Sequence, residues 1–512
     1  MTFDLAAIIQ GTGCRVLHAA PGGGIIENEL RVADLQQLFY SVVIDSRRVQ
    51  PGSLFVALPG EHTDGHVFLA DAYTRGARGA MVKESTRPPE LGTFLEQDRN
   101  RYAILVPDPL AALQSLARSW RDRQSAEVVA ITGSIGKTTT KELVAAVLAA
   151  RGPVLKSVAN LNTEIGLPLT LLALSREHRA AVLEMGMYAK GDIELLASIA
   201  CPRIGIVTNV EPIHLERLGS IERIAAAKSE LVVSLPAEGL AILNGDNPWT
   251  RAMARTSGIA RSVLVGLSSD CDYRAEDVRS HGLEGISFRL HAPGVDYRIQ
   301  ARIPGAHIVH AFLAASAAAR ELGMDWDEIV PTLKTVQTLP RQRLVRAPGN
   351  LVIIDDSYNA APLSMRVALD LLGDFGGEKL AVLGDMLELG PGEEEAHRQV
   401  GVWVAAAVDW LVVRGPRAAW IAESARDHGL APNRVISADT NAEAAEAVRT
   451  IVSSGVAAST LPMRPTIPPE YSARASSESA PSVPADPRWA VLVKGSRGMR
   501  MEEIVEALRG TT

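Results

Sequence analysis

Residues 128–150 read VVAITGSIGKTTTKELVAAVLAA, a short apolar run, a turn with two glycines that carries Lys-Thr-Thr, and a pattern of helical spacing. The apolar run predicts a buried strand and the spacing after Lys137 predicts a helix that begins near Thr138. Between them, Gly133 and Gly136 can take the tight turn that aims the backbone N–H groups of Gly133, Ser134, Ile135 and Gly136 at phosphate oxygens. Lys137 adds a point charge, and the positive end of the helix dipole adds to it. Thr138 or Thr139 can offer a hydroxyl to Mg²⁺. The long form of the phosphate-loop pattern, GxxxxGK[ST], is not met, because Ile131 stands six before Lys137 and only GxxGKT is present. The other reading is an ordinary strand-to-helix turn.

Outward from this unit the same alternation recurs. The runs VVAIT, AAVLE, IGIVTN and LAILN each end in polar residues and alternate with helical stretches between residues 106 and 338. Such a pattern predicts a mostly parallel sheet with its ligand groups at the carboxyl ends of the strands. Residues 339–512 repeat it with LVIIDDSYN, KLAVLGDM, WLVVRG and WAVLVKGSRG, which predicts a second, Rossmann-like doubly wound sheet. Residues 1–105 alternate strand-like runs such as SLFVAL with glycine turns and predict a small α/β domain. A chain of 512 residues is too long for one core and suits this division into three. Residues 457–487 hold seven prolines and six serines and no periodic apolar face. That composition predicts a disordered insertion in the third domain.

Acidic residues exceed basic ones by seven, which argues against nonspecific nucleic-acid binding. The three cysteines, Cys14, Cys201 and Cys271, are far apart, so neither a disulfide framework nor a zinc site is expected, and a reducing compartment is. The N-terminus lacks the pattern of a signal peptide and no run is long enough to span a membrane, so a cytoplasmic protein is expected.

Two further stretches carry candidate metal ligands. LEMGM places Glu184 at a strand end, and HLERLGSIERIAAAKSE places His214 after another strand and Lys228 on a helix. Singly these could be a surface carboxylate, a loop histidine and one charge of a solvated helix face. Beside a phosphate loop they compose a Mg²⁺ site.

The chain resembles the Mur ligase family along nearly its whole length. The resemblance is carried, in order, by DSRRVQPGSLFVALPGEHTDGH, TGSIGKTTTKE, NLNTEIGLPLTLL, LEMGM, HLERLGSIERIAAAKSE, IDDSYNAAPLSM, VLGDMLELG and VLVKGSRGMRMEEIV. It implies a UDP-sugar-binding domain at 1–105, an ATP-binding domain at 106–338 and a ligase domain at 339–512. The implied reaction adds D-alanyl-D-alanine to UDP-N-acetylmuramoyl tripeptide through an acyl phosphate, giving the pentapeptide precursor of peptidoglycan, on a monomer. ATP and Mg²⁺ are implied with it, Mg²⁺ held by Thr138, Glu184, His214 and Lys228, the last as a carbamate.

The resemblance also implies catalytic roles for Lys137, Lys228, His214 and Arg343, the arginine of LPRQRL. It implies a ribose or domain-closure contact for Asp356, otherwise an ordinary strand-end carboxylate. Substrate contacts are implied for Asn162, Asn359, Ser46 and Arg47, of which the last two could instead cap a strand. Departures from the family pattern are Gln342 before Arg343, Thr163 in NLNTEIG, Ala361 in NAAP, and Ile308 and Ala311 where asparagines usually approach the adenine. The preceding ligase, which adds lysine or diaminopimelate, is the near alternative, but its Asp-Asn-Pro-Arg motif is absent from the third domain. A noncatalytic ATP-binding regulator is the alternative of another class.

Overall fold

The computed structural model describes residues 2–60, 63–212, 218–256, 261–336, 343–454 and 487–510. His214 and nearly all of the Pro/Ser-rich stretch 457–487 lie outside the described residues. The expected α/β architecture is present, with three large sheets in chain order and one short antiparallel ribbon that pairs Phe3–Asp4 with Leu38–Phe39.

In the six-stranded first sheet, Ser41–Val43, Ser53–Val56, Gly79–Lys83 and Tyr102–Val106 run parallel. Arg15–Ala19 and Ile25–Glu27 complete it as antiparallel strands. The central sheet has nine strands, of which Val154–Lys156, Ala180–Glu184, Glu127–Thr132, Ile204–Val207, Leu240–Asn244, Arg261–Gly266 and Tyr273–Ser280 are parallel neighbours in that order. Ile286–Ala292 and Val295–Ala301 extend it as an antiparallel hairpin that the helix-and-strand alternation did not announce.

Strands buried on both faces read as unbroken apolar runs, and Glu127–Thr132 illustrates why. Val128 and Ala130 face a core shared with Leu183, Leu167 and Leu231, while Val129 and Ile131 face another with Val182, Ile206 and Phe312. Each fully buried side chain of this size contributes about 1.5–3 kcal/mol. Because both faces carry that gain, the strand sits deep in the sheet, between Ala180–Glu184 and Ile204–Val207. Its neighbours lead away on opposite sides, so a crevice opens at its carboxyl end, where the Gly-Lys-Thr turn stands.

The third sheet repeats the device. Leu351–Asp356, Trp489–Lys494, Glu378–Gly384, Trp410–Arg414 and Val435–Ala438 run parallel, and Arg343–Ala347 closes one edge antiparallel. Trp489–Lys494 is the last strand in the chain yet lies between two strands that precede it by more than a hundred residues. Its register sets Lys494 directly beside Asp356. No described helix is long and apolar enough to cross a membrane.

Candidate active site

A cleft of about 960 Å³ is lined on one wall by the glycine turn of the central sheet and on the other by the carboxyl ends of the third sheet. The turn is built as its glycines require. Gly133 has φ +147° and a Cβ there would collide with the Thr208 hydroxyl, whereas Gly136 has φ +84° and opens on space. The helix Lys137–Leu148 starts immediately after it, so its first N–H groups face the cleft.

Residues of the neighbouring strand hold the turn in shape. Asn209 Oδ1 accepts from Ile135 N at 2.9 Å, and the Asn209 amide and Thr208 hydroxyl donate to Ile135 O at 3.1 and 2.6 Å. The Ser134 hydroxyl accepts from Glu211 N at 2.9 Å. Thr208 and Asn209 are therefore scaffold for the turn, a role visible in the sequence only as the polar end of IGIVTN. The Lys137 amine is folded back on the turn, donating to Gly133 O at 2.7 Å and Ser134 O at 3.3 Å.

Glu184 and Lys228 are both buried, at 3% and 2% exposure, which disposes of the surface carboxylate and the solvated helix face. The Thr138 hydroxyl donates to Glu184 Oε2 and the Asn162 amide to Oε1, both at 3.0 Å, so Thr138, Asn162 and Glu184 form one oxygen-rich group at the helix start. Lys228 has no hydrogen-bond or ion-pair partner among the described residues. Burial, with the charge of Lys137 as a lesser cause, holds its amine well below the usual lysine range.

Hard oxygen donors beside a phosphate turn suit Mg²⁺, and Thr138 with Glu184 fits that requirement. Among the described residues no three His, Cys, Asp or Glu side chains gather as a ligand group. His214 lies outside those residues.

On the far side of the turn, His310 Nε2 lies 2.7 Å from Asp246 Oδ2. Burial alone would raise the Asp246 pKa, but hydrogen bonds from His310, Ser268 and the Leu267 amide outweigh it and hold the carboxyl well below its usual range. His307, pushed down to about 4 by burial and by His310, faces the same cleft. Ile308 and Ala311 stand beside them, both buried. Asp246, His307 and His310 thus supply polar groups where the two expected asparagines are missing.

On the third-sheet wall, the Lys494 ammonium donates to Asp356 Oδ2 at 2.5 Å and to Asn359 O at 2.9 Å. Removing either partner of a buried pair leaves a stranded charge, at a cost of about 3–5 kcal/mol. Lys494 was legible as the polar end of the run WAVLVK, the same signal that marks Glu184 and Asp356.

The structure brings Gly133, Ser134, Ile135, Gly136, Lys137, Thr138, Thr139, Asn162, Glu184, Lys228, Asp356 and Asn359 to this one cleft. Arg343, exposed at the first position of the edge strand Arg343–Ala347, is not among the residues that line it, although its register opposite Asp355 sets it at the carboxyl end of Leu351–Asp356, the same end that forms the wall. Ser46 and Arg47 also stand apart from the cleft, in a one-turn helix of the first sheet that Asp45, not Ser46, caps. Ser46 is buried, and exposed Arg47 pairs with Asp45 at 2.8 Å.

Comparison with known proteins agrees with this architecture. The descriptions "Mur ligase family, catalytic domain", "Mur ligase middle domain" and "Mur ligase, glutamate ligase domain" match residues 38–121, 131–319 and 340–459. The UDP-N-acetylmuramoyl-tripeptide–D-alanyl-D-alanine ligase of Bacillus subtilis is 34% identical over 478 residues, which cover 92% of this chain and 94% of that protein. A crystal structure of MurF from Acinetobacter baumannii superposes with a TM-score of 0.80 at 27% identity, covering 99% of each chain. MurF from Thermotoga maritima in complex with ADP gives 0.73 at 26% identity, covering 92% of this chain and 97% of that one.

Proposed function

Because the chain belongs to the Mur ligase family, we propose that it joins D-alanyl-D-alanine to UDP-N-acetylmuramoyl tripeptide in a reaction driven by ATP. The observation that carries this reading is the single cleft in which a phosphate turn of one sheet faces the strand ends of another. Two substrates bound on opposite walls meet there.

A carboxylate is a poor electrophile because it has no leaving group. The terminal carboxylate of the tripeptide attacks the γ-phosphorus of ATP, the bond to the bridging oxygen breaks, and ADP leaves. The acyl phosphate now has a leaving group. The amine of the dipeptide attacks its carbonyl carbon, loses a proton and expels phosphate. The first step brings two anions together, so positive potential at the turn is the main requirement. The N–H groups of residues 133–136, the start of the helix and Lys137 provide it. Mg²⁺, held by Thr138, Glu184, His214 and Lys228 as its carbamate, would supply further neutralisation of the phosphate charge.

Three assignments accompany this reading. The first 105 residues take the nucleotide sugar, with Ser46 and Arg47 as contacts, residues 106–338 take ATP, and residues 339–512 complete the ligase site with the 457–487 insertion outside it. Asn162 and Asn359 contact substrate, and Asp356 the ribose or the closing wall. Lys228 is carbamylated: a buried amine beside Lys137 with no acidic partner among the described residues is held toward its neutral form, the form that adds to CO₂, and the carbamate left after loss of a proton is an anion that Lys137 would attract.

The deciding experiment supplies ATP, Mg²⁺, UDP-muramoyl tripeptide and D-alanyl-D-alanine. Phosphate release that depends on the dipeptide, with pentapeptide product, is expected. Turnover only with UDP-muramoyl dipeptide and lysine or diaminopimelate would move the protein to the preceding step. No sustained turnover with either pair would leave an ATP-binding protein without ligase chemistry.

For Lys228, Lys228→Ala is expected to lose about 10²-fold or more in rate, since it removes an anionic ligand, and to recover partly with formate or acetate. Native mass measurement of the wild type in bicarbonate should find one added CO₂. An unmodified lysine in fully active protein would end the assignment.

A further inference from the structure

The third-sheet wall carries two cations whose surroundings differ. Lys494 is buried against Asp356 and its charge is already answered. Arg497, three residues later in the loop after the same strand, also lines the cleft but keeps a side-chain exposure of 64%.

Its guanidinium is held on two sides. Nη1 donates to Glu502 Oε1 at 3.0 Å, and the Cζ lies 5.4 Å from the centre of the Tyr358 ring. The remaining edge, formed by Nε–H and Nη2–H, has no hydrogen-bond partner among the described residues. That edge is the fork that binds a carboxylate through two parallel hydrogen bonds, and clamping the group beforehand lowers the entropy lost when it does so.

The loop itself is anchored. Ser496 N donates to Asp385 O at 3.0 Å, and the Ser496 hydroxyl accepts from Leu387 N at 2.9 Å, which ties it to the loop after the adjacent strand Glu378–Gly384. Arg497 therefore projects from a braced position and not from a free tip.

The phosphates have their own cation and helix start on the opposite wall, so Arg497 is placed for the other substrate. We propose that Arg497 receives the terminal carboxylate of the incoming dipeptide, with Tyr358 and Glu502 positioning its guanidinium. This rests on the acceptor reading above. A dipeptide spans about two residues of extended chain, roughly 7 Å, so a carboxylate held at the third-sheet wall directs the amine at its other end toward the cleft interior. Carboxylate recognition here also discriminates against acceptors whose terminus is blocked.

The test compares D-alanyl-D-alanine with its C-terminal amide in wild type, Arg497→Ala and Arg497→Lys. Wild type should prefer the free acid by about tenfold or more in kcat/KM. Arg497→Ala should raise KM for the dipeptide by about the same factor, leave KM for ATP and for UDP-muramoyl tripeptide within about twofold, and lose the preference for acid over amide. Arg497→Lys should retain part of that preference, because charge survives and the fork does not.

An unchanged acid preference in Arg497→Ala, or none in wild type, would overturn the assignment while leaving the ligase reading intact. Failure of wild type to use the dipeptide at all would overturn the acceptor reading, and this assignment with it.

Discussion

Lys137→Ala is expected to lower ligation at least about 10³-fold while the protein stays folded. The amine lies on the turn that faces the cleft and donates to the carbonyls of Gly133 and Ser134, both within four residues of it. The substitution removes these two local hydrogen bonds from the described structure. The melting temperature should therefore stay within about 2 °C of wild type. The loss falls on phosphoryl transfer, where negative charge of carboxylate and triphosphate accumulates at one point. Phosphate release and pentapeptide formation, measured at saturating substrate, check this. Product formation within tenfold of wild type would remove the turn from the reaction.

Glu184 should show the second large effect. Glu184→Gln keeps the size of the side chain and an oxygen for the Thr138 hydroxyl, and loses the charge. If Glu184 holds Mg²⁺, the metal concentration needed for half-maximal rate should rise about tenfold or more and the rate fall about 10²-fold. Nucleotide affinity gives a readout independent of turnover. Binding of ADP without metal should be nearly unchanged, and the gain in affinity on adding Mg²⁺ should shrink. Glu184→Ala should be worse in both respects, because it also strands the Thr138 hydroxyl and Asn162 amide, each bonded to the carboxylate at 3.0 Å. Identical Mg²⁺ titrations of wild type and Glu184→Gln would make Glu184 a structural carboxylate that only organises Thr138 and Asn162.

Much of the site was legible because its signals are local. The turn at 133–136 joins a strand and a helix that are continuous with it in the chain, and glycine at two positive-φ positions is dictated by backbone sterics. Glu184, Asp356 and Lys494 share a second local signal, a polar residue that ends an apolar run and so stands at the carboxyl end of a buried strand. The central hairpin Ile286–Ala292 and Val295–Ala301 was harder to read, since its second strand alternates exposed with more buried residues and the pair interrupts the parallel pattern.

Within the amino-acid sequence alone lay the class of fold, the phosphate turn and the identity of the charged residues that could serve it, because backbone sterics and hydrophobic periodicity act over a few neighbouring residues. Partnership was decided in three dimensions. Lys494 and Asp356 are 138 residues apart and meet only because the last strand inserts beside Leu351–Asp356. Lys228 could have been a solvated helix residue, and only packing buries it with no acidic partner among the described residues. Arg343 lies on an exposed edge strand, and only its register opposite Asp355 brings it to the carboxyl end of Leu351–Asp356. Such outcomes depend on which surfaces the sheets bury against one another, a sum of many weak long-range contacts that no short window of sequence contains.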